Sequence, residues 1–384
     1  MTRPNRALWL KTLSGAAVLS LTLAACGSDD TGDSGATGGD TSAAEETDGG
    51  EDTGAAGDFT SDECASDSTS ADTFKASGIL PLTGNLAFLG PPEIAGVGLA
   101  VSDINAAGGV GEAQACHWIL DSGDATDASV ANNSAQQAIQ GEVSVVVGAA
   151  SSSVTLNIVD AITDASIVQI SPANTAVALS GYSDFYFRTA PPDGIQGDAL
   201  GNLILQDGFT KVAFIVFNDA YGTGLRDVVQ ATLEAGGGEV TYGAKGAGEE
   251  FPPGQTSFSA EVNGALATNP EAIVVLAFDE TKSIVPELVN AGWDMATTYY
   301  TDGNASSYGE DFPAGTLEGA KGTIPGADAS AEFKGRMSDW HAEFEGEALT
   351  DYSYGAESYD AVVLAALAAL KGGATDSATV QANL

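Results

Sequence analysis

The chain has 384 residues, room for two or three domains of ordinary size. Its 53 acidic residues against 13 basic ones give a formal charge of −40. That charge excludes a nucleic-acid binder, whose phosphate contacts need a cationic face, and fits a soluble, self-repelling exported protein.

The N-terminus reads as a targeting segment. Arg3, Arg6 and Lys11 precede an apolar stretch that runs to Ala25, too short and wrongly flanked for a spanning helix. It ends in Leu23-Ala24-Ala25-Cys26-Gly27, which resembles a bacterial lipobox and implies a lipid on Cys26. The expected location is the extracytoplasmic face of the cell membrane, with residues 1–25 removed as a signal peptide. From Gly27 to Thr73 the chain is dominated by Gly, Ser, Thr, Ala, Asp and Glu, without Lys or Arg. Such a composition buries too little apolar surface to offset its ordering entropy, so a disordered acidic tether is expected over 26–73. With Cys26 assigned to lipid, Cys64 and Cys116 remain as an even pair in an oxidising setting. A disulfide between them is expected, with two buried thiols as the alternative.

From Phe74 onward short apolar runs alternate with helical stretches, the pattern of an α/β fold built on parallel sheets. Phe74–Leu80 is the first predicted strand. Pro91, Pro92 and Glu93 then open a helix that runs to Asn105 before Gly108 and Gly109 stop it. A second strand, His117–Leu120, and a second helix, Ala128–Ile139, follow. The stretch from Val143 to Thr175 carries the strongest local signal. An apolar run, Val143–Val147, meets Gly148 and the cluster Ser151, Ser152, Ser153; a helix follows with Val154, Ile158, Ile162 and Ala165 on its apolar face. A further strand, Ile167–Ile170, ends in Ser171-Pro172-Ala173-Asn174-Thr175. In a parallel sheet such strand ends face the ligand crevice, and the first N–H groups of a helix favour an anion such as a carboxylate. A plain N-cap role for Ser151 is the competing reading.

After Pro191 and Pro192 a second series begins. It comprises strand Lys211–Phe217, a helix marked by Leu225, Val228, Val229 and Leu233, and strand Glu239–Tyr242. Helix Phe258–Leu266, strand Ala272–Leu276, helix Ile284–Val289 and strand Thr297–Thr301 complete it. The repeated architecture implies two lobes, one of 74–192 with 325–384 and one of 193–324. Pro325, Gly326 and Ala327 mark a second connection. Helices are expected over Phe333–Phe344, over Ala356–Leu370 with Val362, Val363, Ala366 and Leu367 as its buried face, and from near Ser377.

Catalytic constellations find little support. His117 falls in a strand and His341 on an exposed helix, neither beside other ligand types, so a His-based metal site or a serine triad is not expected. There is no G-x-S-x-G elbow, phosphate loop or dinucleotide fingerprint. No cofactor, no metal and no enzymatic activity are expected.

Several strings occur in order: GILPLTGNLAFLG, LAVSDINAAGGVG, VVVGAASSS with ISPANTA, FRTAPPDGIQG, FNDAYGTG, TDGN and YDAVVLAALAAL. From Ile79 to about Leu370 the chain thereby resembles the branched-chain amino-acid type (leucine/isoleucine/valine-binding-like) substrate-binding proteins of bacterial ABC transporters. These proteins have the type I periplasmic binding fold. The resemblance implies two Rossmann-like lobes joined by three connections, closing on a ligand in the cleft between them. It implies Ser151, Ala173 through its backbone, and Thr175 as the first-lobe grip on the α-carboxylate and part of the ammonium. Tyr221 would cover the ligand, Asp302 bind its ammonium, Phe278 form an aromatic wall, and Phe88 or Leu89 line the side-chain pocket. Family members usually continue with strands that return to the second lobe, which implies a C-terminally shortened chain. The expected function is a monomeric, lipid-anchored receptor that captures a small amino acid or related amide and delivers it to an ABC permease and its ATPase. A sensor domain for a membrane receptor shares the fold and is the first alternative; an extracellular hydrolase or an adhesion module are the others.

Overall fold

The computed structural model describes residues 59–65, 73–309, 311–326 and 328–384. The leader, the lipidation position Cys26, most of the tether and Ala327 lie outside the described residues. In the first half of the chain the elements are β1 Thr73–Leu80, α1 Gly90–Ala106, β2 Gln114–Asp121, α2 Ala128–Gln140, β3 Val145–Gly148, α3 Ser152–Asp164, β4 Gln169–Ser171 and β5 Tyr186–Arg188. Next come α4 Asp193–Gln206, β6 Lys211–Val216, α5 Ala220–Ala235, β7 Glu239–Tyr242, α6 Ser259–Ala267, β8 Ala272–Leu276, α7 Thr281–Asn290, β9 Thr298–Tyr300 and β10 Lys321–Gly322. Helices α8 Ala331–Phe344, α9 Gly355–Gly372 and α10 Ser377–Asn383 follow.

The strands form two five-stranded parallel sheets, ordered β2-β1-β3-β4-β5 and β10-β9-β8-β6-β7. Both faces of the first sheet are covered. Phe74, Ala76, Leu80, Val145 and Val147 pack with Val97 and Val101 of α1 and Ala361 and Val362 of α9. The alternate residues Ile79 and Val146 meet Ala131 and Ala135 of α2 and Val154, Ile158 and Ile162 of α3. This period-two division is what a strand buried on both sides requires. The second sheet has its own core, centred on Phe214, Ile215, Val274 and Val275, and its cluster of buried residues extends to Leu86, Leu89, Ala150, Ala173 and Tyr354 from the first lobe. Among the described residues the chain passes between the sheets twice, after β5 and after β10, where the resemblance implies three connections.

The structure corrects several expectations. Residues 59–65, expected within the tether, run along β2: Cys64 N–H donates to His117 O at 2.8 Å, and His117 N–H to Asp62 O at 3.0 Å. Cys64 and Cys116 form the expected disulfide, Phe59 packs into the cluster of Leu99, Met337 and Trp340, and Trp340 Nε1 donates to Thr60 O. Composition counts apolar residues over a window, so it misses one cysteine and one phenylalanine that suffice to pin a short strap. On α9 the buried face is Ala361, Val362, Ala365, Ala366, Ala368 and Ala369, whereas Leu367 is 56 % exposed. Helices α1 and α9 approach too closely for leucine: a Cβ on Gly96 would stand 2.1 Å from the Gly355 carbonyl oxygen. Ala165 is exposed because α3 ends at Asp164. His341, expected on an exposed helix, is buried, with Nδ1 2.6 Å from the Glu347 carbonyl oxygen.

Candidate functional site

The carboxyl ends of β3 and β4 build one wall of a cleft. Ser151 is the N-cap of α3, its hydroxyl accepting from Val154 N–H at 3.4 Å, so the capping reading holds; the same residue also faces the cleft. Behind it lies a buried polar network. The carbonyl oxygen of Ala149 accepts from Thr155 Oγ1 at 3.0 Å and Ser171 Oγ at 2.7 Å, and Asn174 Nδ2 donates to Thr155 Oγ1 at 3.0 Å. Tyr186 OH in turn donates to Asn174 Oδ1 at 2.6 Å. A satisfied buried network of this kind holds its backbone rigid. It fixes the turn that presents Ala173 and Thr175.

The facing wall comes from the carboxyl ends of β6, β8 and β9. Tyr221 lies in the first turn of α5, Phe278 just after β8, and Asp302 opens a short 3-10 turn, Asp302–Asn304, after β9. The rings of Tyr221 and Phe278 stack at 5.3 Å between centroids and 16° between planes. Gly303 must be glycine here, because a Cβ would stand 2.8 Å from the Phe278 ring and 2.9 Å from that of Tyr221.

Between the walls lies a closely lined cavity with free volume of about 20 Å³, room for roughly one water. Its lining includes Ser151, Ala173, Thr175, Tyr221, Phe278, Asp302 and Leu89. Phe88 does not reach it and packs half-buried against the core of the second lobe. The turn Ala87–Leu89 is a 3-10 helix, in which side chains three apart share a face, so Leu86 and Leu89 point into the cavity together. Neither Lys nor Arg lines it.

Asp302 is its dominant charge. Tyr221 OH donates to Oδ1 at 2.7 Å and Tyr354 OH to Oδ2 at 2.6 Å. An ionised carboxylate has about four acceptor positions, more than the two tyrosine hydroxyls occupy, and the Gln196 side chain is also beside it. Burial raises its pKa, partly offset by the two tyrosine hydroxyls. Tyr354 was not anticipated from sequence. It reaches the cavity from the N-terminus of α9 with a left-handed backbone, φ 60°, a conformation costly for a non-glycine residue and often found at functional positions.

A second carboxyl stands one layer back. Asp193, the first residue of α4, is fully buried, and neither of its oxygens has a hydrogen-bond partner of normal geometry; the Thr175 hydroxyl is beside it. Burial, and then the Asp302 charge, push its pKa up to about 8. Asp219, the N-cap of α5, is likewise pushed up to about 7 by burial. Among the described residues no group of three or more His, Cys, Asp or Glu side chains is placed to hold a metal ion.

Residues 73–384 match the profile of the periplasmic binding protein family. The chain belongs to that family. Its two parallel five-stranded sheets are those of the type I periplasmic binding fold. Among curated relatives, the leucine-, isoleucine-, valine-, threonine- and alanine-binding protein of Pseudomonas aeruginosa is 35% identical over 176 residues, 45% of this chain and 46% of the relative. The Leu/Ile/Val/Thr-binding protein of Salmonella typhimurium is 32% identical over 175 residues, 45% of this chain and 47% of the relative. The chain thus spans about half the length of the curated relatives it matches. These relatives are solute-binding proteins, not enzymes. Among solved structures, the branched-chain amino acid transporter substrate-binding protein of Streptococcus pneumoniae, in complex with isoleucine, superposes with a TM-score of 0.65. It is 27% identical, with 81% of this chain and 87% of that one covered. A leucine-binding protein of Thermotoga maritima, 21% identical, superposes at 0.68 over 81% and 87% and supports the fold alone.

Proposed function

We propose that the cleft captures a small amino acid with an apolar side chain, or a related amide, for delivery to an ABC permease and its ATPase. The protein would act on the extracytoplasmic face, held there by a lipid on Cys26. The observation that carries the reading is the polarity of the cavity. One wall offers Ser151, the Thr175 hydroxyl and the N-terminus of α3, which suit a carboxylate. The other offers Asp302, with Asp193 behind it and no cationic side chain on the lining, which suits an ammonium. The two charges of a zwitterion would each meet a partner, which offsets the cost of taking them out of water. Leu86, Leu89 and Phe278 supply apolar contact for the side chain. Relatives named for leucine, isoleucine and valine binding support the same ligand class.

A thermal-shift screen of the amino acids and their amides tests this, because a ligand that binds only the folded state raises its apparent stability. Small apolar amino acids are expected to raise the melting temperature in a concentration-dependent way. Shifts confined to dicarboxylic acids or sugars would overturn the reading.

The buried carboxyls also set a pH signature. Asp193 has a folded-state pKa of about 8, above its usual value, so folding favours its protonated form. Its contribution to stability is complete below the ordinary carboxylate range and is lost as pH rises through about 8. An ammonium nearby favours the ionised form, so ligand uptake near neutral pH expels a proton. Calorimetry at pH 7 in buffers of different ionisation enthalpy is expected to show proton release that shrinks above pH 8 and in Asp193→Asn. A binding enthalpy independent of buffer would contradict it.

A further inference from the structure

Two polar contacts cross the cleft without touching the cavity. Ser153, in the first turn of α3, donates from Oγ to Asp219 Oδ2 at 3.2 Å and accepts from Ala220 N–H at 3.0 Å, bridging the cap and first residue of α5. Asn85, in the loop after β1, donates from Nδ2 to Glu280 Oε1 at 2.9 Å, and its carbonyl oxygen accepts from Asp279 N–H at 3.2 Å. None of these six residues lines the cavity.

Three of the four residues whose side chains meet, Asn85, Asp219 and Glu280, are held from behind by their own lobe. Asn85 N–H donates to Asp124 Oδ2 at 3.1 Å, Asp219 Oδ1 accepts from Gly222 N–H at 2.6 Å, and Glu280 Oε2 accepts from Phe278 N–H at 3.0 Å. Contacts pre-ordered on both sides lose little entropy when they form. Asn85 meets the carboxylate of Glu280, and hydrogen bonds to charged groups are the stronger kind.

We propose that the Ser153–Asp219 and Asn85–Glu280 contacts form a closure latch, which stabilises the closed cleft without contacting the bound molecule. The latch rests on the reading of the cleft as a site that opens and closes on a ligand. Any free energy that favours the closed form lowers the fraction of open protein, and for a ligand held in the closed form it appears as slower release.

The test compares the full chain with the double variant Asn85→Ala, Ser153→Ala. Fluorescent labels on unnatural amino acids at exposed Asn133 and Glu234, one on each lobe, report the interlobe distance. Without added ligand, the variant is expected to show a longer distance than the wild type. With L-leucine as probe, dissociation is expected to quicken about tenfold while association changes little. Ser153→Thr, which keeps the hydroxyl, should restore most of both, and circular dichroism checks that each variant folds. Distances and dissociation rates equal to wild type overturn the latch. If L-leucine produces no closure in the wild type, the proposed ligand class fails, and the ligand-free distances still decide the latch.

Discussion

Asp302→Ala is expected to weaken binding of an ammonium-bearing ligand by about 2–5 kcal/mol, roughly 30-fold to a few thousand-fold. The carboxylate is buried against Tyr221 and Tyr354, so water cannot take its place cheaply beside the ammonium. The substitution also leaves the buried Tyr354 hydroxyl without its acceptor, which costs stability of about 1–3 kcal/mol, whereas Tyr221 OH keeps Thr301 Oγ1 at 2.8 Å. Asp302→Asn separates the two effects: it keeps an acceptor for one tyrosine and removes the charge. Titration calorimetry is expected to show most of the affinity loss in Asp302→Asn, with a smaller loss of melting temperature than in Asp302→Ala. Affinity unchanged in both variants would remove Asp302 from the ammonium site.

The second large effect is on stability. The Cys64–Cys116 bond closes a loop with a sequence separation of 52 that contains β1 and α1. In the chain-entropy account such a cross-link removes about 4 kcal/mol of freedom from the unfolded chain, and typical measured effects are about 2–4 kcal/mol. It also fastens the strap that brings Phe59 and the Thr60 carbonyl onto Trp340. Cys64→Ser, or reduction of the wild type, is therefore expected to lower the urea midpoint by an amount corresponding to about 2–4 kcal/mol. The cleft lies at the opposite ends of the strands from Cys116, so ligand affinity is expected to change little at temperatures where the variant is folded. An unaltered urea midpoint would show that the strap adds nothing.

Much of the scaffold was legible in the chain because its strands are short apolar runs buried on both faces. Ala272–Leu276 was predicted with the bounds observed, since five consecutive apolar residues between turn signals leave little choice. Helix α4 was not read. Its segment DGIQGDALGNLILQ carries three glycines, which argue against a helix locally. The reason for two of them is tertiary: a Cβ on Gly197 would meet Val228, and one on Gly201 would meet Thr232, both on α5. Contacts made only after two helices pack leave no periodic trace. Asp193 and Tyr354 were missed at the site for a related reason. Asp193 sits within FRTAPPDGIQG, where nothing local distinguishes it from a helix-start aspartate, and it matters because folding places it beside Thr175. Tyr354 lies 52 positions beyond Asp302, and its approach depends on how α9 returns to the first sheet. Phe88 and Leu89 were equivalent in sequence and are separated by the pitch of a 3-10 turn.

The most direct measurement of the central claim is a pair of calorimetric titrations on the wild type. One uses the amino acid that gives the largest thermal shift; the other uses its desamino analogue, with the carboxylate and side chain retained and the ammonium absent. The account predicts that the analogue binds at least about 30-fold more weakly, the loss expected when a buried carboxylate loses its charged partner. Equal affinities for the two molecules would contradict it.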